Sequence, residues 1–200
     1  MKKFFLLGLI AVMAFIGYAK TGTAESAQTA AVGPFDGSFG VFKSAAAGKD
    51  YSKALAALRS LMLSFLAESP LLLEHVRFVK GADNSYGIFS PRENDLFAAA
   101  ELIYVYMEPA GYVLNKNPAG YYEFGFKADF QVTDAQGKIL GGQTDFAVLP
   151  FKSWNSNTEI SLTFTYTLSG LEKGKYKLIT QVRDAYSPKK ASCEKWFTIE

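Results

Sequence analysis

The chain has 200 residues, with 21 Lys and Arg against 19 Asp and Glu, one Cys and one His. A single cysteine excludes an internal disulfide, and one His with one Cys argues against zinc, which takes several such ligands. The charge balance gives no electrostatic reason to bind phosphate backbones or anionic lipid. With 49% hydrophobic and 15% aromatic residues, the chain can build a core without covalent staples.

Met1, Lys2 and Lys3 form a short basic start, and Phe4 to Ala19 is an apolar run interrupted by Gly8, Gly17 and Tyr18. Small residues follow at Thr21-Gly22-Thr23-Ala24. This order predicts a secretory signal peptide over 1–24, cut after Ala24. A run of about sixteen residues falls short of the ~20 that span a bilayer, so no stable membrane insertion is expected after cleavage. Cleavage removes three of the 21 basic residues (Lys2, Lys3, Lys20) and no acid, leaving 18 against 19 and a mature net charge of −1. The expected location is periplasmic or secreted. The sole cysteine, Cys193, lies far from that cut, so a lipoprotein is not expected.

Residues 25–49 are rich in Ala, Gly, Ser and Thr and read as a flexible linker or arm, with Phe35, Phe39 and Phe42 as tacking points. From Asp50 to Ser69 the period changes. Tyr51, Leu55, Leu58, Met62, Phe65 and Leu66 recur at spacings of three and four, Asp50 or Ser52 caps the start, and Pro70 follows the end. The pattern predicts one amphipathic helix over 50–69, packed on its own domain, with a partner-binding helix as the alternative. Its polar face carries too few basic residues for a membrane-surface helix.

Residues 70–200 read as about eight strands. Leu71 to Lys80, Tyr86 to Ser90 and Glu101 to Met107 are apolar segments bounded by Gly and Pro. Tyr122 to Thr133 alternates apolar with polar, turns at Asp134-Ala135-Gln136-Gly137, and returns as Lys138 to Leu149 with a bulge expected at Gly141-Gly142. Ile160 to Leu168, Tyr176 to Val182 and Ala191 to Ile199 complete the set. The expected fold class is mainly β, an Ig-like antiparallel β-sandwich preceded by one amphipathic helix. The Ig-like detail is Tyr176, which follows the Gly174 turn just inside a strand, where a tyrosine corner bonds its hydroxyl back to the preceding loop.

Tyr86-Gly87-Ile88-Phe89, Phe97 with Glu101 to Glu108, Asp134 to Lys138, and Gly174-Lys175-Tyr176 together resemble a loose group of uncharacterised secreted bacterial proteins with an Ig-like C-terminal domain. The resemblance runs from Tyr86 to Glu200, and its motifs mark turns and strands. One departure is Ala100, where that group usually places a glycine before the acid that opens the third strand. The resemblance implies a fold and no activity.

No catalytic set is expected. His75 stands alone in a strand, and no G-x-S-x-G elbow supplies a nucleophile. The oxygen-rich stretches Asp83-Asn84 and Arg92-Glu93-Asn94-Asp95 lack EF-hand spacing and read as solvated turns. Asp129 and Asp145 lie at similar distances from the Asp134 turn, which makes a hydrolase with paired carboxylates a remote alternative. The aromatic loop from Met107 to Phe126 is the better candidate. Tyr122, Phe124 and Phe126 alternate as core, leaving Tyr112 and Tyr121 as binding residues, and Trp154 stands in an otherwise polar loop. The expected function is therefore a non-enzymatic exported module binding an envelope protein partner through Tyr112, Tyr121 and Trp154. A carbohydrate-binding module is the alternative, and no cofactor, metal or nucleic acid is expected.

Overall fold

A computed structural model describes Gly33 and residues 35–200, so the signal-peptide reading lies outside the described residues. Those residues form two helices and nine strands. Helix α1 (Asp36–Ala47) runs where the composition suggests a flexible arm. Gly37 and Gly40 hide its period, and its N-cap position is Phe35, which has no side-chain cap to offer. The helix exists because it has a partner. Ala45 of α1 and Ala54 and Ala57 of α2 (Tyr51–Glu68) are buried where the two helices pack. Small side chains let the two backbones approach closely. Among the described residues a helix pair thus precedes the strands, where the sequence predicts one helix and a linker.

Helix α2 starts as its sequence dictates. Asp50 accepts a hydrogen bond from the Lys53 amide at 3.0 Å, and Pro70 follows its last turn. Its large apolar stripe is mostly open, its Phe65 meeting the Phe35 ring at 6.1 Å. Tyr51 is 72% exposed and Phe65 58%, and Leu55, Leu58 and Met62 are exposed too. The alanine face is covered and the leucine face is open.

The strands are β1 (Leu72–Val79), β2 (Leu96–Phe97), β3 (Leu102–Ala110), β4 (Asn115–Lys116), β5 (Tyr122–Asp134), β6 (Ile139–Ser153), β7 (Leu162–Thr167), β8 (Gly174–Asp184) and β9 (Lys190–Ile199). They make two sheets. One has the order β1-β3-β7, and the other runs β2-β9-β8-β5-β4 with β6 also paired to β5. All pairs are antiparallel except the two-residue β2–β9 pair. One apolar core joins Phe78, Ile103, Val105, Met107, Phe164 and Tyr166 of the first sheet to Phe126, Leu178, Val182 and Phe197 of the second. Each such side chain contributes ~1.5–3 kcal/mol on burial, which makes this layer the main source of stability.

Tyr86 to Ser90 is not a strand. It is a turn closed by paired bonds between Ser85 and Ile88 and pinned from below, where the Gly87 amide donates to Tyr106 Oη and to Glu108 Oε1. The β5–β6 hairpin matches its sequence signals: Asp134 Oδ1 accepts from the Gln136 and Lys138 amides, and Gly137 takes φ 86°. Gly142 lies against β5, where an added Cβ would stand 2.4 Å from the Phe130 carbonyl. Tyr176 Oη donates to the Glu172 carbonyl at 2.8 Å across the turn that opens β8.

Candidate functional site

The end of the β-domain next to α2 gathers the three aromatic residues singled out from the sequence. Tyr112 follows β3 and is only 6% exposed. Its ring stacks on Phe124 at 5.2 Å and meets Phe126 edge-on, and its hydroxyl donates to the Asn157 carbonyl at 2.8 Å. Burial pushes its pKa far up. It cannot be the exposed contact residue that its loop position suggests; it is a buried strut that fixes the loop after β6.

That strut is itself held. Gly111 takes φ 80° with its missing Cβ 2.3 Å from the Pro70 carbonyl, so only glycine fits where α2 gives way to β1. Asp184 Oδ2 accepts from the Val113 amide at 2.8 Å, and Lys189 Nζ donates to the carbonyls of Ala67 and Gly111 at 2.7 and 2.8 Å. One lysine thus caps the end of α2 and ties it to the loop that carries Tyr112. An apolar cavity of about 220 Å³ lies between them, lined by Leu63, Leu66, Tyr112 and Tyr122.

Trp154 and Tyr121 behave differently. Trp154 is 76% exposed, and Tyr121 is half-buried beside it, their ring centroids 5.8 Å apart at 79°. Lys152 lies over the Tyr121 ring at 5.1 Å and reaches Glu123 at 3.7 Å. The near-perpendicular contact braces the indole and still leaves it largely exposed. A sugar platform needs two coplanar rings, and these are nearly perpendicular. Beside Trp154, a groove of about 640 Å³ runs between Ser153–Glu159 and the α2 residues Arg59, Met62 and Leu63. Sequence reasoning did not connect that loop to α2, because the pairing needs the tertiary turn at Gly111.

Asp129 and Asp145 do come together, around a cation. Arg183 Nη2 bonds both carboxylates, its Nε reaches Asp129 at 3.1 Å, and Asp129 also accepts the Asp145 amide at 2.7 Å. Burial pushes the Asp129 pKa up, but those bonds from Asp145 and Arg183 outweigh it and hold the carboxyl below its ordinary value. One guanidinium thus occupies both carboxylates, binding each of them by a direct hydrogen bond. Asp145 adopts φ 50° at a bulge in β6, so the arginine fastens a strained residue to the sheet.

His75 also sits at a bulge, with φ 51°, between residues paired to Glu108 and Tyr106. The bulge brings its Nε2 within 3.7 Å of the buried Glu108 carboxylate. Glu108 is otherwise satisfied by Tyr106 and the Gly87 amide, which makes it the anchor of the 85–88 turn. Asn84 spends its side-chain amide on the Gly81 carbonyl and Thr163, and Arg92 binds Glu101 while covering the Phe97 ring at 4.1 Å. Glu93 is exposed and pairs only with Lys80 at 3.6 Å. Among the described residues no group of three or more His, Cys, Asp or Glu is placed to hold a metal. Cys193 is half-buried, and burial pushes its thiol pKa up to about 11, so it stays protonated at neutral pH.

No protein-family model and no curated protein matches the chain. Among solved structures, it is similar to the sporulation control protein Spo0M of Bacillus subtilis at 10% identity and TM-score 0.35, over 66% of this chain and 50% of that one. It is similar to the alkylpurine DNA glycosylase AlkC of Pseudomonas fluorescens at 10% identity and TM-score 0.35, over 72% and 36%. For the CARDB domain of the PF1109 protein from Pyrococcus furiosus the values are 12% and 0.33, over 66% and 90%. The chain therefore spans half or less of the length of the first two.

Proposed function

We propose that the chain is an exported, non-enzymatic module of the cell envelope that binds a protein partner through the loop end of an Ig-like β-sandwich. The observation that carries this reading is Trp154. A large indole stands 76% exposed, braced by Tyr121 on a loop that Tyr112 locks from beneath. Such a rigid aromatic anchor loses little side-chain freedom on binding, and Trp and Tyr are the residues that most often dominate interface energies. The groove between that loop and α2 gives a partner side chain a place to enter beside the indole.

Export is supported by the basic start, apolar run and small residues of 1–24. No helix among the described residues is long and apolar enough to cross a membrane. The Ig-like assignment is supported by the tyrosine-corner bond from Tyr176 to Glu172 and by the antiparallel β3–β7, β5–β8 and β8–β9 pairs.

The test is affinity capture from envelope extract with the exported chain as bait, beside a Trp154→Ala bait. The expected result is one enriched envelope protein whose recovery falls at least tenfold with Trp154→Ala. Equal recovery with both baits rules out the loop as the binding surface.

A further inference from the structure

The open face of α2 is a second surface, which meets the groove beside the Trp154 loop at Met62. Tyr51, Leu55, Leu58, Met62 and Phe65 follow one another at spacings of four, three, four and three, the a/d repeat of a coiled-coil seam. In an amphipathic helix of a self-contained domain that seam faces the core. Here it faces out, while the buried positions Ala54 and Ala57 go to α1. The five side chains together expose roughly 600 Å², the upper end of what a monomer usually leaves open in one apolar patch. It is also most of the ~800 Å² per partner that a stable interface buries.

We infer that this face is covered by a second copy of the chain, the two α2 helices crossing antiparallel about a two-fold axis near residue 60. The spacing is self-complementary under that operation: Leu55 meets Phe65 of the second copy, and Leu58 meets its Met62. Each pair sets a larger side chain against a smaller or more flexible one, and each is made twice, as an isologous contact requires. The parallel alternative is disfavoured on two counts. It stacks Tyr51 on Tyr51 and Phe65 on Phe65, and it brings the Lys49 and Lys53 ends of both helices together. It also crowds the β-domains, because Pro70 and Leu71 lead from the end of α2 straight into β1. The antiparallel arrangement puts the Lys53 end of one helix beside the Glu68 end of the other and moves the β-domains to opposite ends of the pair. With both α1 helices outside, the assembly is a four-helix bundle. Met62 belongs to both the seam and the wall of the groove, so the dimer covers one edge of that groove while Trp154 stays outside the seam.

The test is the mass of the exported chain in solution by light scattering and sedimentation, with variants at exposed positions that the fold does not need. The wild type is expected to run as a dimer at micromolar concentration. Leu58→Asp should run as a monomer with unchanged circular dichroism, weakening association at least 100-fold. A Cys193→Ser background then reports orientation. Leu55→Cys with Phe65→Cys should crosslink between copies under mild oxidation, whereas Leu55→Cys alone should not. A wild type that stays monomeric at 100 µM overturns the proposal, as does a dimer that Leu58→Asp leaves intact. Efficient crosslinking by Leu55→Cys alone overturns the antiparallel arrangement. A dimer whose capture of an envelope protein ignores Trp154→Ala counts against the proposed function alone, since Trp154 lies off this seam.

Discussion

At the residue scale, the difference between Tyr112 and Trp154 shows what an aromatic in a loop can do. Both stand among turn residues, and nothing in the spacing tells one from the other. The structure separates them through a hydrogen bond: the Tyr112 hydroxyl finds the Asn157 carbonyl and the ring goes under, while the Trp154 loop offers its indole no such cover. Tyr112→Phe keeps the stacking on Phe124 but leaves the Asn157 carbonyl short of a donor. It should cost about 1 kcal/mol in urea unfolding, with Trp154 fluorescence shifted as the loop loosens. Tyr176 was legible because its place is set by the Gly174 turn and by strand register, both written locally. The Arg183 clamp was half legible: symmetry about the turn predicted that Asp129 and Asp145 meet, but the arginine comes from β8, out of reach of any local pattern. The clamp makes stability depend on acid. Asp129 has a folded pKa below its ordinary value of 3.8, so its contribution is fully present above that value and is lost as pH falls through the folded one. Asp129→Asn should therefore be less stable than the wild type at pH 7, with the gap closing steadily below about pH 4 in paired denaturation curves.

At the scale of elements, the strands that alternate were readable and the short ones were not. β5, β7 and β8 each carry a period of two set by one buried face. β2 and β4 are two residues long and exist only because β9 and β5 present free backbone to them. The stretch 86–90 looks like a strand from its apolar residues, yet Gly87 has φ 70° and turns the chain back. α1 was hidden by its glycines, and what stabilises it is the alanine contact with α2, a tertiary term that composition does not carry. Glycine positions are where element packing can be tested most sharply. Gly142→Ala sets a methyl against the Phe130 carbonyl at 2.4 Å, on a strand pair that has already shifted register nearby. It should lower stability by about 1–3 kcal/mol, whereas Gly141→Ala, with nothing within 4 Å, should stay within about 0.5 kcal/mol of the wild type. Thermal melts of the two variants side by side check this, since equal losses would mean that β6 moves freely at this point.

At the scale of the molecule, hydrophobic periodicity establishes which face of α2 is apolar and is silent on what covers it. The expectation that α2 packs on its own domain follows from ordinary economy of surface, and the structure departs from it because Lys189, the Gly111 junction and the Leu63 and Leu66 side chains hold only its C-terminal half. A helix pair fastened at one end, with its leucines outside, gains most of its burial from association. That links folding to concentration in a measurable way. If α2 pairs between copies, the unfolding midpoint should rise with protein concentration, because mass action stabilises the associated native state. The rise should disappear in Leu58→Asp, whose midpoint should equal that of the dilute wild type. Lys189→Met should act on the same helix by a different route. It removes the charge that caps α2 and should lower protection of the 51–68 amides in hydrogen exchange at every concentration, leaving β5 and β8 unchanged. A midpoint independent of concentration, with α2 amides as protected as those of β5 in dilute solution, would mean that the helix pair is stable on its own and that its open face is ordinary surface.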